Sequence, residues 1–276
     1  MEAQADRFFE NRQYETALQN YRKIRENETK FNDRQRQTAK IVRCLTALGR
    51  TEQSVAEFFV LCRTEPFTGH WTCIPLVWYS ANNSASSGIS PLDRLALEWL
   101  SPSTNPSGRE NPVASLLAAS VLLSSSNTAN QTNAANQLRQ LSFSNNDDNP
   151  NRKEELAIRK QVAQLAVTQL WRTQIVKLKS EKELANWEPL VETIHEPLKA
   201  GPYMVLGDGL AKVQNHEKAI IAWLRVPVLH SENRFLAAKA LDSAAQMLKK
   251  LGRPDEAKAI FDELTRDYGD QTTTSR

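Results

Sequence analysis

Few side chains in this sequence stand at the spacings that chemistry requires. His70 and Cys73 lie three apart with Cys62 nearby, and thiolate plus imidazole is a zinc-binding combination. A structural zinc site needs four ligands at recognisable spacing. No second Cys or His pair supplies them, so these three are expected to be packing or loop residues, with no metal. His195, His216 and His230 are isolated from any nucleophile and are expected to be surface or packing histidines. Gly207-Asp208-Gly209 has the look of a phosphate loop, yet no strand precedes it and no Gly-Lys-Ser follows, so nucleotide binding is not expected. Asp255, Glu256, Asp262 and Glu263 fall at helical spacings and are read as a solvated helix face. No nucleophile elbow, His-Glu-x-x-His or kinase signature occurs, so neither an enzyme nor a cofactor is expected.

One constellation points to recognition instead. Arg36, Lys40 and Arg43 stand at i, i+4 and i+7, on one stripe of a helix whose other side carries Ile41, Val42, Leu45 and Leu48. Such a stripe suits an acidic segment or a terminal carboxylate, which Arg can grip with two parallel hydrogen bonds. The plainer alternative is a face turned to water. Trp71, Trp78 and Trp99, with Phe67 and Tyr79, are expected to fill the core, the alternative being binding hot spots; Trp171, Trp187 and Trp223 follow helical periodicity and are expected in the core.

The elements that must position these residues are helices. The chain has 276 residues, 40% hydrophobic and 24% charged, with only 9 Gly and a net charge of +3. Glycine at about half its usual share disfavours sheet-and-turn architectures, and so weak a net charge disfavours a dedicated nucleic-acid binder. Residues 1 to 65 carry 22 charged side chains, whereas residues 66 to 150 carry 8. The charge-poor stretch is rich in Ser, Asn and Thr at 82–87, 101–107, 124–133 and 142–149, read as loops between short helices. Ser90 with Asp93 and Ser180 with Glu183 spell capping boxes, and Asn111-Pro112 a cap followed by proline. Helix pairs are expected at 112–123 with 131–142, and at 152–178 with 183–196.

Three cysteines without a Cys-x-x-Cys pair do not suggest a disulfide framework. The longest apolar stretch, Val113 to Leu123, is about half the length a bilayer demands. No apolar leader follows a charged start, so the sequence as written is expected to be cytoplasmic, or exported to the cell envelope if a leader was omitted.

The ends of the chain repeat. Tyr203-x2-Leu206-Gly207-x2-Leu210 is followed by Ala219-x3-Trp223; Leu241-x2-Ala244-Ala245-x2-Leu248 is followed by Gly252 and Ala257-x3-Phe261. Near the start, Ala17-x3-Tyr21 and Ser54-x3-Phe58 stand 37 residues apart. These segments resemble the tetratricopeptide repeat of bacterial type, W-x2-L-G-x2-Y then A-x3-F, with a spacing somewhat longer than 34. The resemblance implies an all-α fold, a right-handed α-solenoid of about six antiparallel helix pairs. Residues 1–80 and 151–276 would be tetratricopeptide-like, and 81–150 a divergent helical segment. The structural repeat positions are Ala17, Tyr21, Ser54, Phe58, Tyr203, Leu206, Gly207, Ala219, Trp223, Ala245, Ala257 and Phe261.

The resemblance further implies a non-catalytic interaction scaffold. The first helix of each hairpin would line a concave groove for a peptide or partner helix, acidic if Arg36, Lys40 and Arg43 are the contacts. Members that clamp chaperone tails use a lysine and an asparagine where this chain offers Glu2 and Asp6, which argues against that ligand. The lengthened spacing is also similar to that of bacterial cell-envelope assembly proteins. A helical-repeat nucleic-acid binder, or an enzyme with a site in residues 67–150, are the remaining alternatives.

Overall fold

In a computed structural model, residues 1–64, 69–79, 89–101, 111–143 and 153–272 are described. Pro66, Phe67 and most of the Ser/Asn-rich stretches at 82–87, 101–107 and 142–149 lie outside them. Among the described residues every regular element is helical. The helices are α1 (Glu2–Glu10), α2 (Tyr14–Asn27), α3 (Phe31–Ala47), α4 (Thr51–Thr64), α5 (Pro91–Leu100), α6 (Pro112–Leu122), α7 (Thr128–Ser142), α8 (Lys153–Gln174), α9 (Trp187–Thr193), α10 (Ala200–Lys212), α11 (His216–Leu229), α12 (Arg234–Lys250) and α13 (Pro254–Thr272). Short 3-10 turns occupy Trp71–Cys73, Ile175–Lys177, Glu181–Leu184 and Glu196–Leu198. The chain divides into two compact units, Met1–Val167 and Thr168–Arg276.

Four helix hairpins, α1/α2, α3/α4, α10/α11 and α12/α13, turn in the same way. Arg12, Gly49, Gln214 and Gly252 each take a left-handed φ of 60 to 74°. The next residue in each turn, Gln13, Arg50, Asn215 or Arg253, donates its N–H five residues back, to Phe8, Leu45, Leu210 or Leu248, at 2.8 to 3.0 Å. The left-handed residue donates three back, closing the double bond of a Schellman turn, which satisfies carbonyls that a helix end leaves open. Four residues after each turn stands a small residue, Ala17, Ser54, Ala219 or Ala257, whose N–H caps back to the turn at 3.0 or 3.1 Å. All four are buried. A larger side chain there would force the paired helices apart, at a cost of about 1–3 kcal/mol.

The aromatics four positions on, Tyr21, Phe58 and Trp223, are buried as expected, while Phe261 is only half-buried. Phe261 lies on α13, the last described helix. Neighbouring hairpins are also tied by charge in a repeated way. Arg50 pairs with Glu15 at 2.7 Å, and Arg253 pairs with Glu217 at 2.9 Å. In each case the arginine just after one turn meets the glutamate in the first turn of the second helix of the preceding hairpin.

In the first unit, Ala5, Ala17, Leu18, Tyr21, Ile41, Cys44 and Leu45 form one core cluster through α1, α2 and α3. Further along, α6 packs between α5 and α7 and also touches α4. Every residue of α6 is buried, and its sequence is apolar but for Ser115 and Ser120, as a helix covered on all sides requires. Asn111 caps it, accepting from Val113 and Ala114 N–H at 3.1 Å. The stretch 124–133 is not wholly loop. Asn127 accepts from the N–H groups of Ala129 and Asn130, and this cap starts α7 at Thr128. Ser90 accepts from Asp93 N–H as expected, but the Asp93 carboxylate turns to Ser125 Oγ at 2.5 Å instead of completing the box.

In the second unit, the segment expected as one helix over 183–196 is broken. The Ser180–Glu183 box opens only a 3-10 turn, α9 lasts seven residues and ends at an extended Ile194, and His195 also leaves the helical region before the short 3-10 turn at Glu196–Leu198. Trp187 of α9 stacks on Trp171 of α8, centroids 4.3 Å apart and planes 3° from parallel. Gly207 lies under the indole of Trp223, so close that a Cβ there would sit 2.4 Å from it. A Cβ on Gly209 would sit 2.9 Å from Trp187 and 3.2 Å from Leu184. Both glycines of the supposed phosphate loop are thus packing residues inside α10.

Candidate functional site

The cationic stripe of α3 is where the sequence analysis places a binding surface, and the structure shows what those cations meet. Arg36 bonds both oxygens of Glu2, at 3.1 and 3.0 Å, and also reaches Asp33 at 2.8 Å. Lys40 bonds Glu2 at 2.9 Å and Asp6 at 2.6 Å. Tyr21 of α2 donates its hydroxyl to the same Asp6 oxygen at 2.6 Å, and Lys40 lies 5.2 Å from the centre of that ring. Arg43 sits over the Phe9 ring at 4.9 Å. The first helices of the first two hairpins therefore interleave two carboxylates with two cations.

Electrostatics follow from these contacts. The Lys40 hydrogen bond chiefly, with Arg36 helping against the cost of burial, draws the Glu2 carboxyl down to about 2. Burial opposes ionisation of Asp6, but Lys40 and Tyr21 hold its carboxyl below the ordinary value. Burial, and then the bond to Asp6, pushes the Tyr21 hydroxyl well up, so it stays a donor. Beside Arg36, Gln37 is fully buried, and neither of its amide atoms meets a partner at hydrogen-bonding geometry. An unpaired buried amide is costly, about 1–3 kcal/mol per group.

The three candidate contacts are thus on one face as expected, but they are not a bare positive stripe, because α1 supplies matching acids. Glu2 and Asp6 are themselves four apart, the same spacing as Arg36 and Lys40. That complementarity was present in the sequence; what it lacked was any statement that α1 lies beside α3. The burial of Gln37 carried no sequence signal.

Elsewhere, Trp71, Trp78 and Trp99 are buried, Trp99 stacking on Phe59 at 4.8 Å. Asp255, Glu256 and Asp262 are exposed, and Glu256 is held by Arg253. Burial pushes the thiols of Cys44 and Cys73 up to about 12 and that of Cys62 higher still, so all three resist becoming nucleophilic thiolates. Among the described residues no three His, Cys, Asp or Glu side chains gather as metal ligands. No described helix is long and apolar enough to cross a membrane.

The class these observations define is an all-helical protein with tandem helix hairpins in each of two units. Compared with protein-family models, with curated proteins and with solved structures, the chain matches none.

Proposed function

We propose that this protein is a non-catalytic protein–protein interaction scaffold, whose hairpins stack within each unit in the manner of a right-handed tetratricopeptide-like α-solenoid. The reading rests on one observation above all: four hairpins share the same turn, the same buried small residue and, at two junctions, the same inter-hairpin ion pair. A rigid surface of this kind presents side chains at set spacings, so little of its own conformational freedom is lost on binding. The face of α1 and α3 is the contact surface, through Arg36, Lys40 and Arg43. An acidic partner segment docks there by exchanging with Glu2 and Asp6, trading one set of ion pairs for another.

Affinity purification with mapped crosslinks identifies the partner, and two variants test the face. Glu2→Gln unmasks Arg36 and Lys40 and should tighten binding of that partner. Neutralising Arg36, Lys40 and Arg43 to Gln should weaken it with helical circular dichroism unchanged, and avoids setting new acids against Glu2 and Asp6. Equal affinity across all three chains overturns this reading of the surface.

A further inference from the structure

His230 ends α11 and begins the turn into α12, its N–H donating to the Val226 carbonyl at 2.8 Å. The residue is 1% exposed, and its Nε2 has no hydrogen-bond partner. Glu196, on the turn that leads into α10, places Oε1 at 3.8 Å from that nitrogen, beyond hydrogen-bonding reach. The Glu196 carboxylate is already bonded by Lys199 Nζ at 2.9 Å, and Lys199 also lies 3.4 Å from Glu192. From α10, the Tyr203 ring stands 6.2 Å from the imidazole, its hydroxyl bonded to Glu192 at 2.9 Å and its face covered by Arg225 at 5.2 Å. Glu232 supplies charge from the turn itself, and exposed His195 flanks Glu196.

We propose that His230 is an acid-operated latch in the second unit: neutral, it closes the joint between the α11–α12 turn and the segment entering α10; protonated, it releases that joint. A charged imidazole here would be cut off from water, and the Glu196 carboxylate 3.8 Å from its bare nitrogen is already bonded by Lys199. A second buried cation would compete with Lys199 for Glu196 without a full hydrogen bond to offset its desolvation. Burial dominates, Lys199 adds to it, and Glu232 and Glu196 only partly oppose, so the folded imidazole titrates below its ordinary value of 6.5. The sign is therefore fixed. The folded form prefers the neutral ring, the unfolded form takes up a proton sooner, and stability at this joint declines as pH falls below that ordinary value.

Hydrogen exchange on the full chain reads the joint locally. Between pH 7.5 and 5.5, after correction for intrinsic exchange, peptides spanning residues 194–204 and 226–236 should lose protection in the wild type. They should keep it in His230→Gln, and lose it as the wild type does in His195→Gln. If His230→Gln misfolds, His230→Phe keeps a buried ring without a titrating group and serves the same comparison. Unchanged protection in the wild type, or the same loss in the His230 variants, overturns the proposal. So does an NMR titration that places the His230 ring at or above the ordinary histidine value.

Discussion

Gly207→Ala is the sharpest test of how the second unit packs. In an exposed helix interior this change should stabilise by about 1 kcal/mol, because Gly is the poorer helix former. Here the added Cβ would stand 2.4 Å from both Cδ1 and Nε1 of Trp223 and 2.9 Å from Cε2. The obstacle is a rigid indole, not the tip of a flexible chain. Trp223 is buried, and its Nε1 donates to Asp208 at 3.1 Å, so it can retreat only by disturbing the core and that hydrogen bond. Overpacking typically costs about 1–3 kcal/mol, and weakening a hydrogen bond to a charged acceptor adds about 1.5–3 kcal/mol at most. Against the propensity gain, a net loss of about 1–4 kcal/mol is expected. Urea unfolding followed by far-ultraviolet circular dichroism measures it, with Gly269→Ala as comparison, since a Cβ there meets nothing within 4 Å. Trp223→Leu should reduce the penalty of Gly207→Ala in a double-mutant cycle. A Gly207→Ala variant as stable as the parent, or more so, would refute the packing argument.

The shared turn predicts opposite effects at its glycine and non-glycine versions. Gly252→Ala, at φ 74°, should cost about 1–2 kcal/mol, whereas Gln214→Gly, at φ 66°, should be neutral or stabilising, both by urea midpoint. Ser125→Ala removes the hydroxyl that bonds the buried Asp93 carboxylate at 2.5 Å; a loss of about 1.5–3 kcal/mol is expected by the same measurement. Glu2 has a folded value of about 2 against an ordinary 4.5, so its ion pairs contribute stability above the ordinary value that is lost as pH falls towards 2. Glu2→Gln should therefore flatten the fall in stability over that window, and an unchanged acid profile would show that these ion pairs contribute nothing.

The sequence by itself determined the helices and their turns, because those depend on residues near one another in the chain. Ala17, Ser54, Ala219 and Ala257 announced close helix pairing, and Gly207 stood at a repeat position, but nothing in the sequence placed the Trp223 indole over it. Asn111 and Ser90 announced helix starts that backbone donors indeed occupy. The double interruption at 183–196 was less legible, since hydrophobic periodicity ran on through the breaks at 185–186 and 194–195. Only the tertiary structure decided the fate of charge. Arg36 and Lys40 read as free cations until α1 brought Glu2 and Asp6 from 34 residues or more away, and His230 read as unremarkable until three separate segments closed over it. Hydrogen bonds within a turn are set by local geometry. Desolvation and ion pairing are set by which distant surfaces meet, and no spacing in the sequence carries that.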